Sequence, residues 1–139
     1  MRVVIDTNVI VSGLRSTRGA AFCVLRGVRD GVVKPIVSPA LFFEYKDVLS
    51  RPGMIPGQMS SMVVSAFLDA FLLMAETRDV FFRWRPWLPD PKDECVLELA
   101  VAAGCVPITT CNVRDFQPAS ALGVRVMTPW DLSLELKLK

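Results

Sequence analysis

The sequence predicts an α/β protein, a three-layer α/β/α sandwich with a central parallel sheet of four to five strands. Three observations predict it. Short strand-like runs are separated by helical stretches along the whole chain, an order that calls for a parallel sheet with crossovers over its faces. The strand-like runs are apolar throughout, as strands buried on both faces are. Two helices open on the same signature, a capping side chain followed by proline, at Ser38-Pro39 and Asp90-Pro91.

Arg2 to Ile5 is a β-branched run that ends in polar Asp6-Thr7-Asn8 at a turn into a helix. After Ser16-Thr17-Arg18-Gly19, apolar Ala21, Val24, Leu25 and Val28 recur at helical spacing until Gly31 stops the element. Val32 to Val37 reads as a second buried strand, in which Pro35 is tolerable only near the beginning or at an edge. The helix from Ser38-Pro39 runs to about Ser50 and stops at Arg51-Pro52-Gly53. A longer apolar helix, from about Gly57 to Ala75, forms a helical arm with it. A short strand at Val80 to Phe82 and then a loop are expected next. The helix opened by Asp90-Pro91 ends at Gly104, Val106 to Thr109 is a third buried strand, and Val124 to Met127 is a fourth before a C-terminal helical turn at Pro129. In such a sheet the strands' carboxyl ends share one edge, where sites gather.

At 139 residues and 15.4 kDa the chain is expected to be one domain over residues 1–139. Hydrophobic residues make up 52% and charged residues 22%, enough apolar material for a core and too little charge for disorder. With 16 basic and 14 acidic residues the net charge is +2, so any polyanion must be bound by local clustering. The chain has no histidine, which excludes Ser-His-Asp and Cys-His catalysis, histidine-ligated zinc and histidine general bases. Cys23, Cys95, Cys105 and Cys111 lie 72, 10 and 6 residues apart, form no Cys-x-x-Cys pair, and are expected to be reduced core thiols. Asp6 interrupts the start before any secretory apolar run, and no stretch has the length of a membrane span, so a cytoplasmic protein is expected. A mean hydropathy of +0.41 points to apolar surface covered by a partner or a second copy.

Four acids stand where solvated acids do not belong. Asp6 leaves the carboxyl end of the expected central strand, although a helix cap or Asx turn would also account for it. Glu44 lies between Phe43 and Tyr45, with Leu41 and Val48 on its helical face; a salt bridge with Lys46 or Arg51 is the alternative. Asp93 shares a stripe with Val96, Leu97 and Ala100; compensation of the helix dipole is the alternative, which the cap Asp90 and an outward Glu94 already supply. Asp115 follows the third strand closely enough to reach the same edge, or is a solvated turn residue. Packed together, these carboxylates need a counter-charge, and in a site without lysine or histidine it would be Mg²⁺ or Mn²⁺. Such a centre suits phosphodiester hydrolysis by a metal-activated water.

Four pieces of the chain in this order and spacing resemble the PIN-domain family of the VapC-like toxin type. They are Val4-Ile5-Asp6-Thr7-Asn8-Val9, Ser38-Pro39 to Glu44 with Val48-Leu49, Asp90-Pro91-Lys92-Asp93 with Leu97, Ala100 and Gly104, and Thr110-Cys111-Asn112-Val113-Arg114-Asp115-Phe116. The resemblance implies a Mg²⁺- or Mn²⁺-dependent single-strand endoribonuclease, the toxin of a type II toxin–antitoxin pair, usually a homodimer held by an antitoxin that blocks the site. It places Asp6, Glu44 and Asp93 on the family's three acidic metal ligands and Thr7 and Asn8 on the supporting polar positions. Where many members carry Asp in a Thr-x-Asp arrangement this chain has Asn112, and the nearest acid is Asp115, as in a subset with an Asn-x-x-Asp-Phe ending.

Arg15, Arg18 and Arg114 are expected in loops near the acidic edge, placed to hold an RNA backbone. Arg78, Arg83 and Arg85, interleaved with Phe81, Phe82, Trp84 and Trp87, would either grip a single strand or fill a core and dimer seam. Two rival functions remain. An aspartate-dependent phosphotransferase would use Asp6 as nucleophile, although such enzymes favour Asp-x-Asp where this chain has Asn8. A PIN-like fold that only binds RNA or a partner protein is the non-enzyme rival.

Overall fold

The computed structural model of the chain describes residues 1–55, 60–81 and 87–139. Its centre is a five-stranded, all-parallel sheet in the order β3-β2-β1-β4-β5, with β1 (Arg2–Ile5), β2 (Lys34–Val37), β3 (Glu76–Thr77), β4 (Ile108–Thr109) and β5 (Val126–Met127). Val3, Val4 and Ile5 are all buried, and because successive strand residues face opposite sides, the central strand is covered on both faces. The cover comes from α1 (Thr7–Arg15), α2 (Ala20–Arg29), α3 (Pro39–Leu49), α4 (Ser61–Met74), α5 (Glu94–Ala102) and α6 (Pro129–Leu136). α5 lies against β1, β2 and β4, α4 against β2, and α6 against β5 and α2.

Both proline starts behave as expected. The Ser38 hydroxyl accepts the Leu41 N–H at 3.2 Å, and Pro39 opens α3. Asp90 accepts the Lys92 N–H at 2.9 Å, but here a short 3-10 turn, Pro91–Asp93, precedes α5. β1 has the expected bounds, and the other strands are shorter than expected. β2 starts at Lys34, and Pro35 is compatible with an interior strand because it is the second residue and β3 pairs only Ile36 and Val37. The strand expected at Val80 is replaced by β3 at Glu76–Thr77, and Phe82 lies outside the described residues. Glu76 has no strand propensity to announce it; Arg2 holds it through a two-point bond of 3.0 and 2.7 Å. α4 begins at Ser61 on a Ser60 cap, while residues 57–59 of the expected helix lie outside the described residues. Cys105 and Cys111 are exposed and Cys23 and Cys95 half-buried, so none of the four is disulfide-bonded and none is a fully buried core thiol. Among the described residues no helix is long and apolar enough to cross a membrane.

α3 is fastened to the central strand by Tyr45. Its ring is buried edge-on against Phe71 at 5.8 Å, and its hydroxyl donates to the Ile5 carbonyl, just before Asp6. This sets the depth at which the next residue along, Glu44, stands beside the end of β1. Tyr45→Phe keeps the ring and strips the carbonyl of its donor, so a loss of about 1–3 kcal/mol is expected. Urea unfolding of the two proteins measures it, and equal midpoints would mean that the bond contributes nothing.

Candidate active site

The chain runs outward from β1 to β2 and β3, then returns to the other side of β1 as β4. Such a reversal parts the connections leaving two neighbouring strands and opens a crevice at their carboxyl ends. Asp6 leaves β1 at that point and Thr110 leaves β4 beside it, the Asp6 N–H donating to the Thr109 carbonyl at 3.0 Å.

Asp6 is only 5% exposed, and both of its oxygens are held. As N-cap of α1 it accepts the Thr7 N–H on Oδ1 at 2.8 Å, and the Thr110 hydroxyl donates to Oδ2 at 2.7 Å. The Thr7 hydroxyl donates to Glu44 Oε2 at 2.9 Å, tying α1 to α3. Asn8 accepts the Cys111 N–H at 3.1 Å and reaches the Thr110 hydroxyl at 3.4 Å, and the Asn112 N–H donates to that hydroxyl at 3.1 Å. Thr110 is therefore the hub between β1 and β4. It stood in the sequence as part of the Thr-x-Asp pattern, but only the pairing of the two strands shows what its hydroxyl touches.

The four expected acids share one electrostatic field. Burial raises Asp6 above the usual carboxylate range, opposed by the bonds from Thr110 and Thr7 and reinforced by the charges of Asp115 and Asp90. Burial also raises Glu44, with Thr7 and Lys92 opposing and Asp6 and Asp90 reinforcing. Asp93 is pushed up to about 7, first by burial and then by the charges of Asp6, Asp90, Asp115 and Glu44. Asp115 stands half-buried in the first turn of a 3-10 segment, Val113–Leu122, rather than in a loop. Asn112, the cap of that segment, is exposed and offers its backbone to the network.

Several expectations need correction. Glu94 does not point outward: it is 1% exposed, and its Oε1 accepts the N–H groups of Trp87 at 2.8 Å and Leu88 at 3.1 Å. Glu44 is not paired with Arg51, which meets Asp47 at 2.8 Å. The edge does not lack lysine, since Lys92 acts on Glu44. Asp90, read as a cap alone, also adds its charge to the field on Asp6, Glu44 and Asp93. Arg15 ends α1 rather than lying in a loop at the edge; the helix carries it about 12 Å from its start, and its Nε donates to the Met54 carbonyl at 2.6 Å. Arg18 and Arg114 are exposed, Arg114 at the edge beside Asp115. Arg83, Arg85, Phe82 and Trp84 lie outside the described residues.

Oxygen donors of this kind suit a hard divalent cation. Among the described residues no three acidic or cysteine side chains close into a finished coordination shell. The fit is thus one of donor chemistry and charge: two hydroxyl-oriented carboxylates, Asp6 and Glu44, at one edge with a third, Asp93, whose proton affinity is raised to near neutrality.

A parallel sheet with carboxylates gathered at its switch point defines an acid-centred α/β domain. Its family follows from the sequence: the PIN domain model matches residues 2–114, and the chain belongs to the PIN-domain family. Among solved structures it is similar to VapBC2 from Rickettsia felis bound to a DNA fragment from their promoter, with a TM-score of 0.60 and 14% identity over 91% of this chain and 97% of that one. At that identity the likeness is one of fold. No curated protein matches the sequence.

The raised Asp93 makes stability depend on pH in a defined direction. Its proton is held in the fold up to about pH 7 but is lost from the unfolded chain near 3.8, the ordinary value for the side chain, so stability falls as pH rises between those values. Without divalent ions the thermal midpoint is expected to be higher at pH 5 than at pH 8, and Mn²⁺ should raise the pH 8 value selectively. A midpoint indifferent to both would show that the carboxylates do not share a site.

Proposed function

We propose that this chain is a Mg²⁺- or Mn²⁺-dependent single-strand endoribonuclease and the toxin of a type II toxin–antitoxin pair, working in the cytoplasm. The observation that carries the proposal is the set of carboxylates brought from four separate segments to one edge, with Asp93 raised to about 7 by the others and by burial. Membership of the PIN-domain family supports nuclease chemistry, and the fold's likeness to a VapBC complex supports an antitoxin as partner. The exposed apolar side chains of α4, Met62, Val63 and Leu73, suit cover by that antitoxin or by a second copy in a homodimer.

Asp6, Glu44, Asp93 and Asp115 are assigned as the metal-holding acids. When bound, a divalent ion would neutralise them and polarise both the scissile phosphodiester and the attacking water. The chain's own contribution is orientation. Thr7 and Thr110 fix the free lone pairs of Asp6 and Glu44 by occupying the others, and Asn8 and the Asn112 backbone hold the Thr110 hydroxyl in place. Asp93, with its raised proton affinity, can carry a proton at neutral pH and give it up when a cation arrives. Arg114, and Arg18 farther along the surface, provide positive charge for the RNA backbone; Arg15 is engaged with Met54. A phosphotransferase is less well supported, because Asn8, where such enzymes favour a second acid, is an amide that accepts the Cys111 N–H.

Cleavage of labelled single-stranded RNA with Mg²⁺ or Mn²⁺ tests the reading. Asp6→Ala, Glu44→Ala and Asp93→Ala are each expected to lower the rate at least about a hundredfold with the circular dichroism spectrum unchanged, and Asp115→Asn about tenfold. Activity that survives Asp6→Ala, or that persists in excess chelator, would remove this site as the centre.

A further inference from the structure

We propose that Trp130 and Arg114 together form a landing site for the RNA strand beside the acids, with Trp130 stacking on a base and Arg114 taking a phosphate; this rests on the ribonuclease reading above. α6 begins where β5 ends. Thr128 caps the helix in a reciprocal box with Asp131, so the first turn, which carries Trp130, is fixed at the sheet's carboxyl edge. β5 neighbours β4, and the Thr110 N–H donates to the Met127 carbonyl at 3.0 Å. The last residue of β5, next to the Thr128 cap of α6, is therefore bonded to the residue whose hydroxyl holds Asp6. Two strand spacings, about 10 Å, separate the ends of β1 and β5, roughly the length of three stacked nucleotides.

Trp130 is 62% exposed, although Pro129, Leu132 and Ser133 around it are buried. An indole left in water forgoes the largest side-chain burial available to any residue, and a flat exposed ring is what a single strand uses as a platform, whichever base lies on it. Arg114 stands exposed in the first turn of the 3-10 segment that follows β4, the strand next to β5, so charge and ring flank the same stretch of edge. Leu134, 59% exposed one turn farther along α6, separates this reading from a protein-docking face. A partner helix or strand would cover Trp130 and Leu134 alike, whereas a base beside the acids reaches only Trp130.

Steady-state cleavage of a short single-stranded RNA by the full chain tests the assignment. Trp130→Ala is expected to raise KM about tenfold while kcat stays within about twofold, Trp130→Phe to restore most of the loss, and Leu134→Ala to match the wild type. Abasic sites walked along the RNA should show one position that weakens binding to the wild type but not to Trp130→Ala, a readout that a purely structural tryptophan would not move. An unchanged KM in Trp130→Ala overturns the proposal, and so does an equal loss in Leu134→Ala, which would show that the whole apolar face of α6 acts rather than a single stacking ring. If Trp130→Ala does not fold, the abasic series on the wild type and on Trp130→Phe decides the matter. A wild-type protein that neither binds nor cleaves the RNA with Mg²⁺ or Mn²⁺ overturns the ribonuclease reading itself, without recourse to any variant.

Discussion

Carboxylates that are gathered and dried at one point repel one another and lose their hydration together, and the carboxyl edge of this sheet is organised around that cost. Asp6, Glu44 and Asp93 all respond with a raised proton affinity, which an amide N–H and a hydroxyl oppose at Asp6 and a second hydroxyl opposes at Glu44. The donors come from the backbone and from threonines rather than from basic side chains in direct contact. A hydroxyl turns a carboxylate without neutralising it, so the negative potential that attracts a cation is retained.

The fold's task is to deliver those groups from far apart in the chain. β1 and β4 are adjacent although a hundred residues separate Asp6 from Thr110. α3 meets them through two consecutive residues, Glu44 bonded to Thr7 and Tyr45 bonded to the Ile5 carbonyl. One helical turn thus carries both the fastening and the acid, and movement of α3 relative to β1 must disturb both. Glu94 does similar work on the far side. By taking the N–H groups of Trp87 and Leu88 it fixes the approach to the 3-10 turn that Asp90 caps and Asp93 ends.

The sequence made the acids and the parallel sheet legible for physical reasons, and the failures have physical reasons too. Asp6 and Glu44 stood out because a charge among apolar neighbours is anomalous wherever it falls. Ser38-Pro39 and Asp90-Pro91 were legible because capping is local. Glu94 misled because helical spacing at a first turn does not show which loop will fold over it, and its partners are backbone groups that carry no sequence mark. β3 carries no such mark because two residues have no periodicity; it is a strand through its pairing with β2, and Arg2, seventy-four positions from Glu76, holds that side chain. Trp130 drew no notice since a lone tryptophan in an apolar C-terminal helix reads as core until its exposure is known.

The shortness of the outer strands has a consequence for assembly. β3 and β5, the two margins of the sheet, have two residues each, and Arg2 and Arg78 both lean on Glu76 at one margin. An edge of that length exposes too few backbone groups to template strand addition, and paired charges blunt it further. Copies of this protein are therefore steered away from joining into a continuous intermolecular ribbon, and lateral growth of the kind that seeds fibrils has little purchase on the native molecule.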